Sequence, residues 1–540
     1  MIKQHFQEQF ADPTRTPVAP DGLARPLDNP ISADELERAF KRLHNRRALG
    51  PDDIPAELLK YGATTLAQPL ADILNHGFST GNNIHLGDGI LLGLPKPNKP
   101  VGQCASLRPI VLLTSIRKAI SLVVLRRISP KVERFLSPHQ SGFRPCRSTA
   151  DAVWAHRWIA ARAMRYKERF HILGIDLSRA FDIVNRDKLL SVLEDIVDND
   201  ELRLIRLLLQ DTSLALRFGN TLLSPFESNA GTPQGDSLSP VLFVVYLGAA
   251  LRDLASKIDV PHDLLADMIV YADDADFICQ HADIAKLIED QAPAVLSNWS
   301  LQMNTSKTEH TIVNRCPTAC STKVARKTHE DWRNTRKLGS LLGDAEDLSR
   351  RKTLATAALH CMWKVWLRPS KTSEATRVRM YNCYILPILL YNCGTWALTK
   401  AELHGLESFH RQQLRKVIGI RYPDWISTDK LYRRTKTEPL RYTLLRSRWR
   451  LFGHILRRPA NIPAYRFMDA YFRLSTAGKW LGRRRLTLPM VLDADLQTLS
   501  IGHRLQRTPD LYLLRLCAQD RKGWKYLVEG LLAHAPTDGH

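Results

Sequence analysis

Short apolar runs broken by polar turns dominate the chain up to residue 345, and apolar positions at a helical period dominate the rest. Residues 89–94, 108–113 and 172–175 read as buried strands. Residues 268–271 and 275–279 read as the two arms of a hairpin whose turn holds Asp273 and Asp274. Ser32 and Glu35 form a capping-box pattern that opens a helix, which runs into the basic stretch 41–47 and breaks at Gly50-Pro51. Pro55 stands in the first turn of the next helix. The spacing predicts a helix capped by Ser178, an apolar helix after the Gly-rich loop 231–240, and an amphipathic helix over 284–299. A polar turn at 304–309 leads into a strand at 311–313, and 337–343 reads as a small hairpin. Beyond Leu348, residues 353–366, 374–388, 401–418 and 441–458 carry helical stripes. Residues 1–30, rich in Pro, Asp and Thr, are expected to be loosely ordered.

Composition narrows the class of protein. A chain of 540 residues with 44% hydrophobic and 24% charged residues folds, into three or four domain-sized units. Its 77 basic against 55 acidic residues give a net charge of +22 and call for a polyanionic partner, nucleic acid ahead of a membrane surface. Arg446, Arg448, Arg450, Arg457 and Arg458 interleave with Leu445, Trp449, Phe452 and Leu456, so one helix face is expected to pack and the other to meet phosphates. Arg483, Arg484 and Arg485 add to this. The nine cysteines lie far apart. The nearest pairs, Cys316/Cys320 and Cys383/Cys393, lack a second pair at zinc spacing, so reduced intracellular thiols are expected. The apolar runs 241–251 and 385–390 are too short to span a bilayer, and Pro387 interrupts the second. The N-terminus carries no secretory pattern.

Several polar groups point to chemistry. Adjacent carboxylates at the tip of an apolar hairpin pack poorly but suit a hard, oxygen-seeking cation such as Mg²⁺. Taken alone, Asp-Asp is equally an ordinary turn dipeptide. Asp176 closes a core strand, where α/β folds place chemistry, or else it is a helix-entry carboxylate. Lys96, in the stiff turn 95–100, and Arg108 are placed to present two cations to a phosphate chain, or are plain surface charges. The loop 231–240 brings backbone close to phosphate or base, but no Gly-Lys-Ser/Thr follows, so it is not a Walker motif. The irregular basic stretch 137–149 suits a template backbone. Pro423-Asp424 with Asp429-Lys430 matches a nuclease carboxylate set poorly, and a structural turn explains it.

Nine of these stretches occur in the order found in LINE-type (non-long-terminal-repeat) retrotransposon reverse transcriptases, and from about Arg47 to Leu496 the chain resembles that family. The blocks are Leu49-Gly-Pro-Asp-Asp-Ile-Pro-Ala-Glu57, Leu94-Pro-Lys96, Leu107-Arg-Pro-Ile110, Ser141-Gly-Phe-Arg-Pro-Cys-Arg-Ser-Thr149, the Asp176 block, Thr232-Pro-Gln-Gly235, Tyr271-Ala-Asp-Asp274, Asn304-Thr-Ser-Lys307 and Lys337-Leu-Gly339. The tail segments Ile385-Leu-Pro-Ile-Leu-Leu-Tyr391, Leu414-Arg-Lys-Val-Ile-Gly-Ile420 and Phe452-Gly-His-Ile-Leu-Arg457 look like the family's as well.

The resemblance implies an α+β right-hand polymerase: fingers over 31–170, palm over 171–345, a helical thumb or connection over 346–470 and a basic C-terminal extension over 471–540. It implies that Asp176 and Asp273 hold two Mg²⁺ ions with Asp274 in support, and that Lys307 protonates the leaving pyrophosphate. Lys96 and Arg108 then grip the triphosphate, Phe181 excludes a ribose 2′-hydroxyl, and Gln234 and Gly235 line the nucleotide and template base. Leu338 and Gly339 lie under the primer end. The implied partners are an RNA template, a DNA primer or target and deoxynucleoside triphosphates, with no membrane. The implied location is the nucleus after a cytoplasmic ribonucleoprotein stage.

Cys146 and Asp53 stand where the family usually has Gly. No endonuclease is legible before residue 31 or at the C-terminus, so a truncated copy or a fragment relying on a separate endonuclease is expected. Rival readings are an intron-maturase-like reverse transcriptase, an RNA-templated RNA polymerase (disfavoured by Phe181) and a catalytically silent nucleic-acid-binding remnant.

Overall fold

The computed structural model describes all residues except 21–22, 83, 98, 101, 259–266, 316–328, 369, 500–501 and 536–540. The Cys316/Cys320 pair and Asn98 of the basic turn lie outside the described residues. Two compact units emerge, each assembled from separate stretches. The first comprises 1–145, 175–265 and 287–308, and the second 146–174, 266–286 and 309–540.

The first unit is built on a sheet whose central pair was legible. Asp88–Pro95 runs antiparallel to Leu107–Leu113, with Leu94 opposite Arg108, and parallel to Ser213–Phe218. The N-terminus departs from expectation. Ile2–Phe10 is a helix whose Phe6 and Phe10, four residues apart, are buried with Leu91, Val111 and Leu214 of that sheet. The prolines at 13, 17 and 20 set the composition of the stretch but leave this apolar stripe intact. The Ser32 capping box forms as read, with Glu35 returning to the Ser32 backbone. Ser178, however, caps no helix. It belongs to a two-residue strand paired with Gln302–Met303, and the helix waits until Arg186–Glu194, where Asn185 accepts from the Lys188 N–H.

Ser239–Lys257 forms one continuous helix of 19 residues, long and apolar enough to cross a membrane by length and composition. That corrects the expectation that its apolar run is too short. The local reason for its composition is burial: Leu242 to Leu247 are all enclosed within the unit.

In the second unit, Glu309–Val313, Phe170–Ile175, Asp274–Cys279 and Met268–Tyr271 lie side by side in that order. Thr149–Arg165 helps to cover this sheet through Ala152, Ala155 and Ile159. Its opposite face carries Trp154 and Trp158, which pack on Phe452 and Tyr471 at ring distances of 5.8 and 5.3 Å. That core continues into Leu488–Gln497, Thr508–Gln519 and Arg521–Ala533. The helix at 149–165 therefore belongs with the C-terminal helices rather than with the N-terminal stretch of 31–145, and residues after 471 share a core instead of forming an appended extension. A further core gathers Leu359, Tyr381, Trp396, Leu406 and Leu414 among the helices beyond Asp344.

Cys146 and Asp53, at the two positions where the resemblance leads to an expectation of glycine, sit at φ of 57° and 50°. This left-handed conformation is where glycine is favoured, and Asp tolerates it better than most residues.

Candidate functional site

In the first unit, Asp176 follows the strand end at Ile175. Its backbone carbonyl accepts from the Asn304 N–H at 2.8 Å, and Lys307 Nζ stands 3.0 Å from its Oδ2. The polar turn 304–308 thus brings the predicted lysine onto the predicted carboxylate. Both side chains remain partly exposed.

Phe181 stacks on Phe243 at 4.2 Å between ring centroids and meets Phe143 edge-on at 6.0 Å. The next residue, Asp182, was missed in the sequence. It is buried, and its two oxygens accept from Gln234 Nε2 at 2.7 Å and Gln9 Nε2 at 2.8 Å. Burial pushes the Asp182 carboxyl up to about 6 against these hydrogen bonds and the nearby cations. The Gln234 carbonyl accepts from the Val111 N–H at 2.7 Å, locking the loop to the sheet. Gly235, at φ 137°, lies so close to this strand that a Cβ would overlap the Val111 carbonyl oxygen.

Lys96 and Arg108 come together as expected, since the strand register places Pro95 opposite Leu107. Burial and then the Arg179 guanidinium push the Lys96 ammonium below its usual range. Arg108 and Lys307 add repulsion, and Asp182 opposes it. Four cations therefore share one field beside Phe181 and Asp176. Four cations against Asp176 and Asp182 leave an excess of positive charge, which is suited to a polyphosphate.

In the second unit, the hairpin is tighter than predicted. Tyr271 pairs with Asp274, so the turn is Ala272-Asp273 and Asp274 begins the second strand. Ala272 takes φ 56°, which its small side chain tolerates at moderate cost. Side chains alternate along a strand, so Asp276 lies on the same face as exposed Asp274 but is itself buried. Lys337 Nζ lies 2.6 Å from its Oδ1, and His156 Nε2 3.0 Å from its Oδ2. Burial pushes this carboxyl up, but Lys337 and His156 outweigh it and hold it down at about 2. Gly174 makes room for the pair, because a Cβ there would stand 2.8 Å from Asp276 Oδ1 and crowd Lys337 Nζ.

Leu338 and Gly339 form the two-residue turn between Arg336–Lys337 and Ser340–Leu341, with φ of 48° and 82°. Positive φ at both positions matches the twist of a two-residue hairpin. Tyr391 Oη donates to the Leu338 carbonyl at 3.2 Å, and the Gly339 carbonyl accepts from Arg350 at 2.7 Å and from Arg351.

The arginine stripe over 441–458 corrects expectation. Its apolar face packs, but Arg448 is buried against Asp495 at 2.8 Å and Arg446 pairs with Glu438. Arg457 and Arg458 donate to the carbonyls of Ala518 and Cys146. Most of the stripe serves internal ties, because acids and carbonyls distant in sequence reach it first.

Asp176, Asp273 and Asp274 supply hard oxygen donors at a strand end, a turn and the first position of a strand, a chemistry that fits Mg²⁺. Among the described residues, no three His, Cys, Asp or Glu side chains stand together as a metal-binding group.

Residues 94–341 match the family model described as reverse transcriptase (RNA-dependent DNA polymerase). Over this segment the chain is similar to reverse transcriptases, and the relatives it matches come from transposons. It is similar to a Drosophila melanogaster protein named as a probable RNA-directed DNA polymerase from transposon BS, 24% identical over 497 residues. That match covers 86% of this chain and 53% of the relative. A counterpart from transposon X-element of the same organism is 27% identical over 352 residues, covering 61% of this chain and 37% of the relative. The chain thus spans about half or less of the length of these relatives. Among solved structures, telomerase from Candida albicans with a fragment of telomeric RNA is a remote match, at 13% identity and a TM-score of 0.37, covering 72% of this chain and 63% of that one. The fold class is that of an α+β right-hand polymerase, as the matched reverse transcriptase model supports.

Proposed function

We propose that this chain is an RNA-directed DNA polymerase that extends a primer 3′-hydroxyl with deoxynucleotides on an RNA template. The observation that carries the reading is the field of Lys96, Arg108, Arg179 and Lys307 beside Phe181 and Asp176. It supports a site for a nucleoside triphosphate whose sugar meets an aromatic wall. The 3′-hydroxyl oxygen bonds to the α-phosphorus, the bond from that phosphorus to the bridging oxygen breaks, and pyrophosphate leaves. Lys96 and Arg108 bind the triphosphate oxygens. Lys307 carries a proton at Nζ for the leaving group. Phe181 leaves no room for a 2′-hydroxyl, and Gln234, held by Asp182, lines the base pair with Gly235. Leu338 and Gly339 support the primer end. Asp176, Asp273 and Asp274 would hold the divalent metal, Mg²⁺, which would supply Lewis acidity for the transfer.

The proposed setting is the nucleus after a cytoplasmic ribonucleoprotein stage, with a chromosomal DNA end as primer and a separate endonuclease activity to make it. Primer extension with purified protein, an RNA template, an annealed DNA primer and Mg²⁺ tests the proposal. Asp273→Ala is expected to lower the rate at least about a thousandfold, some 4 kcal/mol of barrier. Near-normal extension by that variant overturns it.

A further inference from the structure

A cavity of about 650 Å³ lies wholly within the second unit, apart from the residues assigned to the transfer step. Three helices begin at its wall: Asp344–Met362, Lys400–Ile418 and Leu488–Gln497. A helix N-terminus carries partial positive charge and unsatisfied N–H groups. The first and third of these helices start without a side-chain hydrogen bond to their opening turn. Three converging N-termini alone would be suggestive only, but a second feature points the same way.

Arg157, which lines the cavity, is 4% exposed, and its Nε and Nη2 find no hydrogen-bond acceptor. Its Nη1 is spent on the Leu342 carbonyl and stands 3.4 Å from Asp344, while Nη2 stands 3.9 Å from Asp347 Oδ2, beyond hydrogen-bond reach, so Nε is the donor with neither a hydrogen bond nor an ion pair. Buried guanidinium donors left without acceptors are costly unless a ligand completes them.

The charge balance of the lining is one-sided. Its three acids are already engaged: Asp344 by Arg157, Glu346 by Arg333 at 3.8 Å, and Glu402 by the Thr399 N–H at 2.7 Å. The cations at the mouth are not. Among the described residues, Lys400, Arg483 and Arg484 are exposed and take part in no ion pair.

We infer that this cavity is a nucleic-acid docking site that takes backbone phosphates of a single strand, with Lys400, Arg483 and Arg484 at its mouth and Arg157 with the helix N-termini at its floor. Charge complementarity selects the occupant, since a phosphodiester chain supplies repeated anions to a mouth of separate cations. The site deepens the proposed function by giving the protein a hold on its strand that does not use the carboxylates.

The test is fluorescence anisotropy of the full chain with a labelled 20-nucleotide oligouridylate, titrated at several salt concentrations without nucleotides. Lys400→Ala/Arg483→Ala/Arg484→Ala is expected to reduce the magnitude of the log K against log salt slope by about 2, at roughly 0.7 per phosphate contact. That corresponds to roughly a hundredfold loss of affinity at 0.1 M salt. Arg483→Lys/Arg484→Lys is expected to keep most of the binding, which separates charge from misfolding. A parallel series with oligothymidylate tells whether the site prefers RNA or DNA. An unchanged slope in the triple variant overturns the inference, as does inorganic phosphate binding lost in that variant while oligonucleotide binding stays intact. Because Asp273→Ala should bind like the parent, loss of extension with intact groove-dependent binding leaves this site standing even if the polymerase reading falls.

Discussion

Lys337→Met removes the ammonium 2.6 Å from the Asp276 carboxylate and leaves that acid buried with His156 as its remaining partner. The gross attraction at this separation is about 6 kcal/mol at an effective dielectric near 20. Desolvation of both groups offsets much of it, so the pair's net contribution is small, but breaking it strands a charge at a cost of about 3–5 kcal/mol. With His156 still on the second oxygen, the lower end, about 3 kcal/mol, is expected for Lys337→Met. Asp276→Leu strands the lysine instead and is expected to cost about as much. The double variant buries two apolar side chains and should recover most of the loss, because no charge is left behind. Urea denaturation followed by circular dichroism measures all four forms. The extension assay adds a second reading: the recovered double variant is expected to remain slower in kcat, since the strand carrying Asp274 loses its tie to the hairpin carrying Leu338 and Gly339. Single variants within about 0.5 kcal/mol of the parent, or a double variant no more stable than either, refute the account.

Phe181→Ala is expected to leave deoxynucleotide incorporation within about tenfold of the parent while raising ribonucleotide use by one to two orders of magnitude, read from kcat/KM for the two substrates; unchanged discrimination excludes Phe181 as the wall. His410 is buried, with Tyr381 Oη 2.9 Å from its Nδ1, and burial lowers its pKa from 6.5 to about 4. The unfolded chain therefore takes up this proton first as pH falls, so stability is complete above about 6.5 and drops toward 4, by about 2 kcal/mol at pH 5. His410→Gln should flatten that part of the denaturation profile, and an unaltered pH dependence would exclude His410 as its source.

Much of the local structure was legible because period and turn chemistry act over a few residues. The alternation around Asp273 and Asp274 specified the hairpin, and Lys337-Leu-Gly339 specified a turn that demands positive φ. What escaped was set by distance. Asp276 reads as one more acid near the tip of the hairpin, and nothing nearby marks it as paired in the interior. Its partners lie 61 and 120 residues away. Asp182 likewise looks like the end of a turn until Gln234, 52 residues on, is seen donating to it. Residues 149–165 were placed with the residues before them by the resemblance alone, since no local pattern assigned them elsewhere. The contacts with Phe452 and Tyr471 that claim this helix are invisible to period.

The same limit applies to the positive charge that first pointed to nucleic acid. A share of the arginines never reaches solvent. Arg186 is buried with no acid beside its guanidinium in its hydrogen bonding, donating instead to the carbonyls of Leu209, Ser228, Ala230 and Gly231, and burial lowers its pKa to about 9. Arg377 does the same for Thr372 and Val417. A guanidinium offers five donors in a fixed fork, so it can satisfy several loop carbonyls that would otherwise be buried without partners. Arginine in this chain thus has two uses, and composition adds them together. Only the outward set can meet phosphates. In the first unit that set includes Lys96, Arg108, Arg179 and Lys307, and in the second it includes Lys400, Arg483 and Arg484. Neutralising the outward residues should change the salt dependence of binding with little effect on stability, whereas neutralising Arg186 or Arg377 should do the reverse, and that contrast separates the two uses residue by residue.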